Sequence, residues 1–171
     1  MFKYLFLLYY PLMSTTEGKG QQEETIEIKK NIVIDASPEV VFKAITDPNE
    51  LTNWFPDQAV LEPQVGGKMK FSFYKKKSDE SRRMDYFPEG TIIEFIPNKK
   101  LSYTWEHPNI PDFPRTVVTW ELEKTENNKT TLKLSHTGFK VDEGVDKGFK
   151  EHDEGWTYFL NELAKYCEKR K

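Results

Sequence analysis

Three histidines, His107, His136 and His152, and one cysteine, Cys167, are the side chains best able to move protons or hold metals in this chain. Their spacing sets narrow limits on the chemistry. No HxH or HExxH pattern and no carboxylate cluster with ligand spacing occurs, so no metal site is expected. A single cysteine excludes an internal disulfide and a multi-thiolate centre. Cys167 falls within a helical apolar pattern and reads as a small buried residue. His136 shares the alternation of Leu132 and Leu134 and should point inward. There it either contacts a ligand and accepts a proton, or is satisfied by a neighbouring hydroxyl or carbonyl. His107 lies in the proline-rich HPNIPDFP stretch (107–114) and is expected to be solvated; His152 is expected at the surface or rim. GxSxG, GxGxxG and P-loop motifs are absent, and no catalytic residue or cofactor is assigned. Asp142, Glu143, Asp146, Glu151, Asp153 and Glu154 lead into the last helix, where acidic groups favour the positive end of the helix dipole without any catalysis. Glu94, between Ile93 and Phe95, should face outward unless a bulge re-aims it.

The rings are the stronger signal. Aromatic residues make up 14% of the chain, with four tryptophans, enough to wall a ligand pocket as well as fill a core. Trp54, Phe71, Phe73, Tyr103, Trp105 and Trp120 fall at positions expected to face inward, as does His136. Trp156, Phe159, Leu160 and Leu163 lie on one side of the last helical stretch. These eleven residues are the expected lining of an apolar interior. Ser72, Tyr103, His136 and Tyr158 are the candidates for its few polar groups.

The elements that would position these groups follow from period and punctuation. Ile26, Ile28, Ile32 and Ile34 mark a first strand over 25–35. Ser37-Pro38 opens a helix, with Ser as N-cap and Pro at the first helical position. Asp47-Pro48-Asn49-Glu50 reads as a capping box opening a second short helix that carries Leu51, Trp54 and Phe55. From 58 to 137 the chain reads as an antiparallel meander, with Gly66-Gly67 as a turn and 75–85 as a charged hairpin tip. One apolar strand face carries Met69, Phe71 and Phe73. Others carry Ile93 and Phe95; Leu101, Tyr103 and Trp105; Val118, Trp120 and Leu122; and Leu132, Leu134 and His136. Such alternation implies one buried and one wet face. From 147 to about 169 the period becomes 3.6, predicting one amphipathic helix as the sole cover of the apolar face. The fold class is therefore α+β, a curved antiparallel sheet wrapped on a long C-terminal helix.

Residues 25–171 are expected to form one domain. The segment before them carries an apolar run, Tyr4–Tyr10, too short to span a bilayer, followed by polar residues 14–24. The simplest expectation is that translation starts at Met13; a weak signal or membrane-touching segment and a packed extra strand are the alternatives. Basic and acidic residues number 25 and 28, net -3, which argues against nucleic acid as a partner.

Several stretches, taken together, resemble a known family. They are Ser37-Pro38-Glu39-Val40-Val41-Phe42 leading to Trp54-Phe55, Gly66-Gly67, the run EGTIIEFIPNKKLSYTW from Glu89 to Trp105, Val118-Thr119-Trp120, LSHTGF from Leu134 to Phe139, and Gly155-Trp156 with Leu160 and Leu163. In order and spacing they resemble the SRPBCC (START-like, helix-grip) superfamily, and within it the activator of heat-shock protein 90 ATPase homologue 1-like family, over residues 26–169. The resemblance implies a helix-grip domain with an apolar cavity between sheet and helix. It does not carry the family name over as function, because the separate N-terminal domain of the namesake co-chaperone has no counterpart before the first strand. The expectation is a non-enzymatic, cytoplasmic domain that binds a small hydrophobic or aromatic ligand, as a monomer or weak homodimer. The alternatives are a chaperone-associated or stress-response interaction protein and a cyclase- or hydratase-like enzyme.

Overall fold

The computed structural model describes residues 25–75, 85–140 and 145–170. The expectations for the first 24 residues, for most of the charged tip and for Asp142 and Glu143 lie outside the described residues, as does the side chain of Asp146. β1 (Thr25–Ile34) leads into α1 (Pro38–Thr46) and α2 (Pro48–Leu51). The strands β2 (Gln58–Leu61), β3 (Lys68–Ser72), β4 (Glu89–Ile96), β5 (Lys100–Trp105), β6 (Thr116–Lys124) and β7 (Thr130–Lys140) follow, then α3 (Val145–Glu168). They form one seven-stranded sheet in the order β1-β7-β6-β5-β4-β3-β2, antiparallel throughout. This is the helix-grip α+β architecture: a meander whose first strand closes beside the last, with α3 against it.

Local chemistry explains the entry. Ser37 caps α1 through its hydroxyl, which accepts from the Val40 N–H at 3.5 Å, and Pro38 occupies the first turn. Asp47 caps α2 by accepting from the Asn49 N–H at 2.9 Å. The expected capping box is not closed, however. The Asp47 N–H donates to the Lys43 carbonyl, and Glu50 turns to α3, accepting from the Tyr166 hydroxyl at 2.5 Å and pairing with Arg170 at 3.3 Å. A partly buried carboxylate gains more from a phenol and a guanidinium than from one exposed amide.

Two further expectations need correction. The Ile93–Phe95 pairing on one face fails because the β4–β5 register shifts between Ile92 and Glu94. The bulge sends Ile92 inside, at 1% exposure, and leaves Ile93 48% exposed. Glu94 stays outward and pairs with Lys100 at 3.0 Å. The wet face is also not wet at β5, where Ser102 and Thr104 are buried. As a central strand β5 has neighbours on both sides, and its hydroxyls are satisfied there: Ser102 shares a 2.8 Å hydrogen bond with Thr119, and Thr104 accepts from the Thr91 N–H at 2.9 Å.

The core runs between sheet and helices, and α3 is not its only cover. α2 ends at Leu51, and the turn after it inserts Trp54 and Phe55. The Phe55 ring touches Phe71, Phe73, Trp105, Trp156 and Phe159, with centroids 4.7 to 6.5 Å apart. It is the hub where the turn, the sheet and α3 meet.

Candidate functional site

Bulky rings can be buried here because each indole N–H has an acceptor. Trp54 donates to the Ala44 carbonyl, Trp120 to the Tyr103 hydroxyl and Trp156 to His136 Nδ1, each at 3.0 Å. Trp105 Nε1 lies 3.1 Å from Tyr86 Oη and 3.0 Å from His107 Nε2. Among the described residues no buried side-chain nitrogen or oxygen lacks a partner. The expected lining residues come together: Phe71, Phe73, Tyr103, Trp105 and Trp120 from the sheet, Trp54 from the turn, and Trp156, Leu160 and Leu163 from α3 are all buried. Phe159 is partly buried against Phe55 and Phe73. Tyr158 is not among them; at 60% exposure it faces solvent. Ser72 is half-buried at the end of β3.

His136 is inward and fully buried, and its proton can be placed. Nδ1 accepts from Trp156, so Nε2 carries the hydrogen and donates to Thr116 Oγ1 at 2.8 Å; Thr116 donates in turn to the Trp105 carbonyl at 3.1 Å. Both nitrogens are used. Burial, with help from the neighbouring His152 and His107, pushes its pKa down to about 2, so the ring stays neutral.

The other two histidines depart from expectation. His107 is 8% exposed rather than solvated, and His152 is half-buried among rings rather than on the rim. The physical reason is visible in the pattern. His107 extends the inward parity of Leu101, Tyr103 and Trp105 beyond the end of β5. His152 sits three residues after Phe149 and four before Trp156, on the inner stripe of α3. His152 lies 5.1 Å from His136 and 5.5 Å from His107, centroid to centroid. Tyr86, the residue that joins His107 to His152, has no periodic pattern around it in the sequence because it follows the charged tip. Its hydroxyl lies 3.0 Å from His107 Nε2 and 2.9 Å from His152 Nε2. The one available signal was the Tyr86-Phe87 pair that resumes ring chemistry after the charged run.

Burial sets the electrostatics of this cluster. It draws His107 down to about 3, with the neighbouring His152 adding to the effect, and lowers His152 against the opposing pull of the Gly148 carbonyl and Glu151. Burial also raises the Tyr86 hydroxyl well above the ordinary tyrosine range, so it keeps its proton. Cys167, fully buried, is pushed up to about 12 and has no thiolate chemistry at neutral pH. At Tyr86 and His107 the cluster borders a pocket of about 20 Å3, lined by Asp85, Tyr86, Phe87, His107, Asn109 and Ile110. That is room for one water.

A family model, described as activator of Hsp90 ATPase homolog 1-like protein, matches residues 35–168. The chain belongs to this family. Solved structures agree with the placement. Protein MLL2253 of Mesorhizobium loti is 25% identical with a TM-score of 0.67, covering 86% of this chain and 99% of its own. The Aha1 dimer from Colwellia psychrerythraea is 22% identical with a TM-score of 0.65, covering 84% and 96%. PFC0360w, described as an HSP90 activator from Plasmodium falciparum, is 24% identical with a TM-score of 0.59, covering 81% and 92%. No curated protein matches the chain. For this family member, no helix among the described residues is long and apolar enough to cross a membrane. Nor is any group of three or more His, Cys, Asp or Glu among them arranged to hold a metal ion.

Proposed function

We propose that this family member binds a small hydrophobic or aromatic ligand between the sheet and α3, without catalysis as its main role. Trp54, Phe71, Phe73, Tyr103, Trp105, Trp120, His136, Trp156, Phe159, Leu160 and Leu163 would form the wall. The observation that carries the proposal is the placement of polar atoms. Three indoles spend their N–H groups on fixed internal partners, while Tyr86 and His107 sit where the ring-lined interior meets the small opening. Apolar walls with a few convergent polar groups are what ligand sites consist of.

Entry requires rings to separate, and the energies permit it. An aromatic pair contributes about 0.5–1.5 kcal/mol beyond its burial. Each 100 Å2 of apolar ligand surface removed from water gains about 2.5 kcal/mol, enough to replace one or two ring pairs with contacts to the ligand. Native mass spectrometry of the protein purified from its own host tests the proposal. A discrete small-molecule adduct on the folded charge states is expected; bare protein throughout, with no dye uptake by the purified chain, would contradict it. The protein is read as cytoplasmic, and as a monomer or weak homodimer.

A second reading rests on family membership and on the Plasmodium structure described as an HSP90 activator. In it the chain is a chaperone-associated, stress-related interaction protein. Added at equimolar ratio to a chaperone of the heat-shock protein 90 class, the protein is expected to leave the ATPase rate unchanged. Several-fold stimulation would put the chaperone reading first.

A further inference from the structure

Gly148, His152, Tyr86 and His107 form a line of hydrogen bonds from the first turns of α3 to the small pocket, and its hydrogens can be assigned. His152 Nδ1 lies 2.7 Å from the Gly148 carbonyl, which only accepts, so Nδ1 carries the hydrogen. In the neutral ring Nε2 is then bare and accepts the Tyr86 O–H at 2.9 Å. With its own hydrogen spent on His152, Tyr86 Oη accepts from His107 Nε2 at 3.0 Å when Trp105 gives its N–H to Tyr86 Oη rather than to His107 Nε2, and in that arrangement His107 carries its hydrogen on Nε2. Nδ1 is then the bare nitrogen of a ring that lines the pocket. Every hydrogen in the line points the same way, away from the opening.

We propose that this line is a proton wire, and that His107 Nδ1 is the contact atom for the hydroxyl of a phenol- or enol-type ligand. The proposal rests on the ligand-binding reading above and names the ligand class. The proton steps balance. The ligand O–H bond breaks as Nδ1–H forms on His107; the Nε2 hydrogen of His107 passes to Tyr86 Oη; the original Tyr86 hydrogen passes to His152 Nε2. The ligand is left as its oxyanion and His152 as the imidazolium, with its Nδ1–H still on the Gly148 carbonyl; burial works against that cation, and the oxyanion at the other end of the line, the Gly148 carbonyl and Glu151 are what offset the cost. Tyr86 takes one proton as it gives one and never becomes a phenolate, in keeping with the strong burial of its hydroxyl.

Trp105 fits both directions of the wire. Its N–H is within reach of Tyr86 Oη at 3.1 Å and of His107 Nε2 at 3.0 Å. In both states the indole can donate to Tyr86 Oη, and after transfer the Tyr86 O–H donates to the bare His107 Nε2. Neither state leaves a buried donor without an acceptor. His136 lies outside the wire, because both its nitrogens are committed to Trp156 and Thr116. Among the described residues, Asp85 at the pocket and Glu151 beside His152 are charged groups able to favour a proton on the line.

Long-range proton–nitrogen NMR of the 15N-labelled full chain at neutral pH reads the tautomers directly, with His136 (hydrogen on Nε2) as internal reference. Hydrogen on Nε2 of His107 and on Nδ1 of His152 is expected. Phenol, used as the probe, should shift His107 Nδ1 and leave His136 unmoved. In Tyr86→Phe the oxygen is gone, so His107 Nε2 should accept from Trp105 and the His107 hydrogen should move to Nδ1, an outcome loss of packing alone would not produce. Hydrogen on His107 Nδ1 in the unaltered chain overturns the wire, and that result stands even where Tyr86→Phe does not fold. If phenol leaves His107 unmoved while an apolar dye still binds, the proposal falls and the ligand-binding reading stands. If neither binds, both fall.

Discussion

At the scale of single residues, the three histidines carry a testable pH dependence. An unfolded histidine titrates near 6.5. In the folded chain burial holds His107 at about 3 and His136 at about 2, so both are neutral when folded and protonate on unfolding in mild acid. The unfolded chain therefore binds more protons below pH ~6.5, and stability falls with pH. It is fully present above pH ~6.5 and is lost progressively towards pH ~3, each histidine costing up to about 1.4 kcal/mol per pH unit. Urea unfolding across that range should show the decline, and a flat stability from pH ~7 to ~4.5 would mean the rings are not locked neutral. His136 was legible in the sequence, because strand parity decides which way a side chain points. His107 and His152 were legible in principle by parity and helical stripe, but the prolines around one and the charges around the other masked the pattern. Tyr86 was not legible, since nothing local ties residue 86 to residues 107 and 152.

Among the elements, the tie between the two short helices and α3 rests on Glu50. Its carboxylate accepts from Tyr166 at 2.5 Å and pairs with Arg170 at 3.3 Å and Lys43 at 3.6 Å, while the Arg170 guanidinium also stacks over the Tyr166 ring at 3.8 Å. Glu50→Ala should cost about 2 kcal/mol, the range for hydrogen bonds to charged groups. Tyr166→Phe should cost about 1–2 kcal/mol, and the double variant less than the sum, because both remove the same bond. Strict additivity in urea unfolding would show that Glu50 and Tyr166 act independently. The β4–β5 pairing has its own test in Gly90, where an added Cβ would lie 1.7 Å from the Thr104 carbonyl oxygen. Gly90→Ala should therefore cost on the order of 3 kcal/mol or leave the chain unfolded, whereas a loss under ~1 kcal/mol would mean the strands can shift apart. The helix starts and nearly all strands were readable from capping residues and period. The β4 bulge and the reassignment of Glu50 were not, because both arise from partners distant in sequence.

For the whole molecule, the order of strand, two short helices, meander and long helix was enough to predict the helix-grip sheet. What covers the sheet was only half legible: α3 was expected, but Trp54 and Phe55 reach the core from a turn whose direction no local periodicity encodes. The central functional proposal is that the ring-lined interior opens to an apolar ligand. The most direct measurement is a titration of the native protein with an environment-sensitive apolar dye, read by dye and tryptophan fluorescence together, on the unaltered chain and on Phe71→Ala and Trp120→Ala. A ligand-binding interior predicts about one site, a change in tryptophan emission, altered dye binding in both variants, and stability losses below the ~3–5 kcal/mol of a solid core. No dye uptake by the native protein, with losses of that full size at both positions, would mean the rings form a closed core and would contradict the proposal.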